Sequence, residues 1–100
     1  MMLHKGRKYR FRLINITPND SDGVFTLKSG EKTLQWRLVA KDGQDVPEAQ
    51  AVLKEARQII TVGETYDFEF QPETAGNLRL EGSGPFSNRW VVAPIIVSEK

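Results

Sequence analysis

The chain contains no cysteine and a single histidine, His4, among its 100 residues. The first absence removes disulfides, thiolate metal sites and cysteine nucleophiles together. The second removes any site built on two imidazoles. No apolar run approaches the ~20 residues a membrane span needs. The opening stretch from Met1 to Arg12 is basic and lacks the apolar core of a signal peptide,. Neither sign of charge dominates: the net charge is +1, which points away from a nucleic-acid, membrane or strongly acidic partner,. A length of 100 residues is that of one domain, 1–100, with a core large enough to fold without staples,.

What the chain does have is alternation. In the segment Arg7 to Ile16, Tyr9, Phe11 and Leu13 fall on one face, with Lys8, Arg10 and Arg12 on the other,. Phe25 and Leu27 oppose Val24, Thr26 and Lys28. Leu34, Trp36 and Leu38 share a face between Thr33 and Lys41. Tyr66, Phe68 and Phe70 oppose Asp67 and Glu69. Further strands are expected over Arg57 to Val62, Asn77 to Glu81 and Trp90 to Val97. Pro94 lies inside the last of these and demands an edge or a bulge, because proline has no N–H for the ladder. Turn formers separate the strands: Thr17 to Gly23, Ser29 to Lys32, Asp42-Gly43, Gly63-Glu64, Pro72 to Gly76 and Gly82 to Pro85,. Gln44 to Ala56 reads as a loop with an uncertain helical turn, for which Pro47 suits the start. About seven short strands predict an all-β, antiparallel, Greek-key sandwich or barrel. Periodicity leaves open whether its strand order is immunoglobulin-like or cupredoxin-like.

Three segments carry more than periodicity. Gly6-Arg7-Lys8-Tyr9-Arg10-Phe11-Arg12-Leu13-Ile14-Asn15-Ile16 resembles the strand that opens the second cupredoxin domain of laccase-like multicopper oxidases. Leu38-Val39-Ala40-Lys41-Asp42-Gly43 resembles the strand and turn that follow in that domain. Val62-Gly63-Glu64-Thr65-Tyr66-Asp67-Phe68 resembles its next conserved-type segment. The three stand in the family's order and at about its spacing. The resemblance implies a cupredoxin-like fold, and it implies that the chain is a fragment or excised domain of a larger multicopper oxidase. The chain departs from the family where copper is concerned. A mononuclear cupredoxin site needs two histidines and a cysteine, often with an axial methionine. The trinuclear site needs His-x-His pairs. The region Glu31 to Arg37, where many relatives carry a histidine, has none. The expectation is therefore no catalytic, cofactor-binding or metal-binding residue, no cofactor, and no enzyme activity of the chain on its own. The expected role is that of a spacer between copper-bearing domains. Its partners would be the neighbouring domains of a parent oxidase or, in a free-standing interaction module, a second copy. A periplasmic or extracellular setting follows if the parent is a typical multicopper oxidase.

Other residues invite sharper readings. His4, near the amino terminus, offers square-planar copper(II) or nickel(II) ligation once Met1 is removed. Lys5, Arg7, Lys8, Arg10 and Arg12 form a basic run, with Tyr9 and Phe11 as base-stacking candidates, although alternation sets the aromatics opposite the cations. Asp42, Asp45, Glu48, Asp67 and Glu69 are candidates for an acid–base pair. Asp20-Ser21-Asp22 suggests calcium without a full ligand set. Ser83 and Ser87 lack a nucleophile motif. Trp36 and Trp90 fit either a core or a binding anchor, and Asn15-Ile16-Thr17 is a glycosylation sequon,.

Overall fold

The structure, a computed structural model, describes residues 1–15, 22–84 and 89–99, and for 89–91 the backbone alone. Among the described residues eleven strands form two sheets. They are β1 Met2–His4, β2 Tyr9–Ile14, β3 Gly23–Ser29, β4 Lys32–Thr33, β5 Gln35–Lys41, β6 Gln44–Asp45, β7 Leu53–Glu55, β8 Arg57–Ile60, β9 Thr65–Phe70, β10 Gly76–Ser83 and β11 Arg89–Ser98. The first sheet runs β1-β11-β10-β3-β4, with β8 on the other half of β3. The second runs β2-β9-β5-β6, with β7 on the other half of β5. The sole parallel pair among the described strands is β1 with β11.

Eleven strands are described where seven were expected: β1 and β6 are short additions at the start and after the Asp42-Gly43 turn, and β4 and β7 come from a corner. Thr33 to Lys41 reads as one strand, but the chain bends at Leu34 and passes from the first sheet to the second. Glu55 to Arg57 makes the return crossing at Ala56. The two crossings pair with each other: Ala56 N–H donates to Leu34 O at 2.7 Å, Leu27 N–H to Ala56 O at 3.0 Å, and Leu34 N–H to Leu27 O at 2.9 Å. Strands that switch sheets in this way close the corner of a sandwich. Ala56 is fully buried there. The uncertain stretch Gln44 to Ala56 resolves into β6, a single 3-10 turn at Glu48–Gln50 and β7, with Pro47 just ahead of the turn.

The core lies between the sheets and is built by the predicted alternation. Phe11, Leu13, Phe25, Leu27, Trp36, Ile60, Tyr66, Phe68, Phe70, Ile95 and Val97 are buried together, with Leu34, Leu38, Leu78 and Leu80 packed against them. Trp36 stacks on Phe68 with 4.0 Å between ring centroids and 17° between ring planes, a close, near-parallel pair. Leu3 joins this core from β1, so the amino-terminal residues are an ordered strand.

Pro94 occupies an edge within an interior strand. Ile96 N–H donates to Met1 O, so amides of this parity face β1,. The β1 ladder runs from Met2 opposite Ile96 to His4 opposite Ser98, away from Pro94, so no ladder bond on the β1 side calls for an N–H at Pro94. On its other side Pro94 lies opposite Arg79 of β10.

Candidate functional site

The three segments that carry the family resemblance converge on β2, β5, β9 and the turns between them. Arg10, Arg12, Asn15, Lys41, Asp42, Glu64 and Asp67 in these segments each have a structural partner. Arg12 lies directly opposite Asp67 in the β2–β9 ladder, and Arg10 opposite Glu69. Asp67 is buried, and it accepts from Arg12 Nε at 3.0 Å, Arg12 Nη2 at 3.1 Å and Arg10 Nε at 2.9 Å. Arg10 Nη2 adds a 2.8 Å ion-pair contact. The guanidinium of Arg12, by hydrogen bond, holds the Asp67 carboxyl below its usual range against the opposing effect of burial, and Arg10 helps. The partners of Asp67 are 55 and 57 residues away along the chain. Arg10 and Arg12 thus both pair with an acid on the neighbouring strand.

Asn15 ends β2 and turns inward. It is buried, and its Nδ2 donates to Ile60 O at 2.8 Å. Its carbonyl accepts from Gly63 N–H at 2.9 Å. Gly63 has φ +87° and closes the turn from Thr61 to Glu64, a conformation L side chains rarely adopt,. Glu64 reaches back across that turn to accept from Thr61 N–H at 2.8 Å and pairs with Lys41 Nζ at 3.0 Å. These bonds, Thr61 first and then Lys41, pull the Glu64 carboxyl from 4.5 down to about 2. Lys41 also lies over the Tyr66 ring, 5.4 Å from its centroid. Asp42 and Gly43, at φ 51° and 82°, form the tight β5–β6 turn that Asp-Gly predicts,. Asp42 then locks onto β9: its N–H donates to Thr65 O at 2.7 Å and its Oδ1 accepts from Thr65 N–H at 2.9 Å.

The candidate catalytic and ligating groups are therefore spoken for or dispersed. Of the five carboxylates singled out, Asp42 and Asp67 are structural, Asp45 and Glu48 are exposed, and Glu69 faces Arg10 and Arg37 across its two ladders. Glu64 and Asp67 are shifted downward, opposite to the direction a general acid needs,. The basic run divides as its alternation requires. Phe11 is core, Tyr9 packs against the core, Arg10 and Arg12 serve Asp67, and Lys5 pairs with Glu99 at 3.1 Å. His4 is bound in β1: its N–H donates to the Tyr9 hydroxyl at 2.6 Å and its Nδ1 lies 3.1 Å from Ser98 Oγ. The backbone amide that a square-planar terminal site would use is engaged there. The amide of Asn15 is likewise engaged, so the sequon presents no free acceptor in the folded chain. Trp36 is core, whereas the side chain of Trp90 and residues Asp20, Ser21 and Ser87 lie outside the described residues.

No group of three or more His, Cys, Asp or Glu side chains arranged for a metal occurs among the described residues. The fit to copper is decided by the donor set. One imidazole on the outer strand pair β1–β11 and no thiolate do not make a cupredoxin site,. An open groove of about 730 Å³ lies between the start of β5, the end of β9 and the 71–74 connection. Lys8, Lys32 and Arg37 line it beside Glu69 and Glu73. Its hydroxyls, Ser29, Thr33 and Thr74, have no histidine near them in that lining, so it offers no nucleophile–base pair,.

Sequence reasoning alone did not find the sheet-switching corner at Leu34 and Ala56 or the inward turn of Asn15. The signal for the second was present in the text of the chain: an amide residue closing an alternating strand, followed by turn formers.

Two solved structures share this architecture. One is a multicopper oxidase from Pediococcus acidilactici, with TM-score 0.71 and 11% identity over 98% of this chain and 20% of that one. The other is Fet3p, a multicopper oxidase that functions in iron import, with TM-score 0.70 and 14% identity over 97% of this chain and 18% of that one. No protein-family model matches the chain, and no curated protein matches its sequence. The all-β sandwich is cupredoxin-like, of the kind multicopper oxidases contain, and the chain spans about a fifth of the length of those structures.

Proposed function

We propose that this chain is a copper-free structural domain of a multicopper-oxidase-type protein, non-catalytic by itself, that spaces copper-bearing domains within one polypeptide. The observation that supports this reading is the use made of the three resemblance segments. Arg10, Arg12, Asn15, Asp42, Glu64 and Asp67 are all spent on holding β2, β5 and β9 together,. The histidines and the cysteine of a cupredoxin copper site are not in the chain,. The fold, shared over nearly the whole chain with a fifth of two much longer oxidases, agrees with a domain that works among neighbours,. A self-associating module is the second reading, favoured by an exposed apolar strip on β11.

The test has two readouts. Purified chain is loaded with copper(II), dialysed, and examined by metal analysis, absorption and electron paramagnetic resonance. The expected result is no stoichiometric copper and no intense blue band; a blue band overturns the copper-free reading. The reading frame around the coding sequence is also determined. His-x-His motifs in the flanking sequence are expected, and a frame that encodes no copper ligands overturns the spacer role.

A further inference from the structure

The outer faces of the two sheets differ in kind. The middle of the second sheet's outer face is charged: Arg10, Arg12, Asp67 and Glu69 lie side by side on it, with Arg37 next to Glu69, and Ile14 and Leu53 are exposed on its edge strands. The first sheet carries an apolar strip along its β1–β11 border. Ile95 and Val97 are core, so Val92, Pro94 and Ile96 face outward. Val92 and Ile96 are 42% and 50% exposed,. Met2, 62% exposed, lies beside Ile96 in register and extends the strip. Next to it on β10, Asn77, Arg79 and Glu81 stand opposite Ile96, Pro94 and Val92 and form a polar rim. An apolar strip with a polar rim is the anatomy of an interface.

The same two strands are the first and last of the fold, running parallel, with Lys5 N–H bonded to Ser98 O. Any polypeptide continuing from either end therefore leaves beside this strip. We propose that the Met2–Val92–Pro94–Ile96 face is the surface on which a flanking domain of the same polypeptide docks. This inference rests on the spacer reading and adds to it a face and an occupant. The placement of the first and last strands beside the strip and the one-fifth coverage of longer chains with this fold favour an intramolecular neighbour over an unrelated partner. A covalently tethered domain needs no high intrinsic affinity, because the tether supplies the effective concentration. That suits a narrow strip rather than a broad apolar face.

Hydroxyl-radical footprinting read by mass spectrometry compares the 100-residue chain with the natural polypeptide that contains it. Met2, Pro94 and Ile96 report the strip; Ile14 and Leu53, exposed on the second sheet, are the controls. The expected result is a roughly tenfold fall in oxidation at Met2, Pro94 and Ile96 in the longer polypeptide, as for residues in a water-excluding interface, with Ile14 and Leu53 unchanged. In the longer polypeptide Ile96→Lys should restore oxidation at Met2 and Pro94, while the isolated variant keeps its melting temperature. Protection at Ile14 and Leu53 instead overturns the docking face and leaves the spacer reading standing. Protection of neither face overturns both. A reading frame of these residues alone also overturns both. Protection of the strip in the isolated chain that grows with its concentration makes the occupant a second copy and overturns the tethered neighbour.

Discussion

Arg12 and Asp67 face each other directly across the β2–β9 ladder, joined by two hydrogen bonds of 3.0 and 3.1 Å, with the carboxylate buried and the guanidinium at the surface. Cross-strand ion pairs at the surface are worth little as a rule. This one differs because Asp67 has given up its water and depends on Arg12 and Arg10 for every strong bond it makes. Asp67→Asn keeps the shape and removes the charge. It should lower unfolding free energy by about 2–3 kcal/mol, the scale of hydrogen bonds to charged groups. Urea denaturation measures it. Arg12→Met should cost less than Asp67→Asn, because Arg10 remains on the carboxylate.

Acid should weaken the fold in a defined window. Glu64 and Asp67 are both held below their usual pKa values in the folded chain. The unfolded chain therefore binds protons first as pH falls, and stability drops with it. For Glu64 the window runs from 4.5 down to about 2. Above it the full contribution is present, and below it the contribution is lost. Glu64→Gln should reduce the slope of stability against pH across that window, as measured by urea midpoints at stepped pH. An unchanged slope would show that the Thr61 and Lys41 bonds do not hold the carboxylate.

Trp36 combines a good stack with an unpaired donor. Its ring is fully buried on Phe68, yet Nε1–H has no hydrogen-bond partner among the described residues. A buried donor without a partner costs about 1–3 kcal/mol. Trp36→Phe removes that donor and leaves a small void, so the two effects should offset to within about 1 kcal/mol. Trp36→Ala loses the stack as well and should cost about 3–5 kcal/mol. Thermal melts of the two variants separate these cases.

Gly63 sits at φ +87° with open space where a Cβ would be. Gly63→Ala meets no atom, so its cost is backbone conformation alone, about 1–2 kcal/mol. Asn15→Ala, by contrast, leaves Ile60 O without its buried donor and should cost more than Gly63→Ala,. Equal losses in chemical denaturation would mean that the Asn15–Ile60 bond is worth no more than the backbone conformation at Gly63.

Much of the fold was legible along the chain, because a two-residue period needs only local information. The inward sets Phe11/Leu13, Phe25/Leu27 and Tyr66/Phe68/Phe70 are core as their alternation required. The Asp42-Gly43 and Gly63 turns have the positive φ their residues suit. The short strands β4, β6 and β7 were not legible. Two or three residues carry no period, and what makes them strands is pairing with β3 and β5, far away in sequence for β7.

The sequence by itself determined the sandwich class, the core faces and the lack of a cupredoxin ligand set, since these depend on which residues are present and how they alternate. Only the tertiary structure decided where β2, β5 and β9 lock together, that Leu34 and Ala56 carry the chain between sheets, and that Asp67 draws on two arginines. Those outcomes rest on hydrogen bonds between groups distant along the chain. Their geometry exists only once both sheets have closed around a shared core.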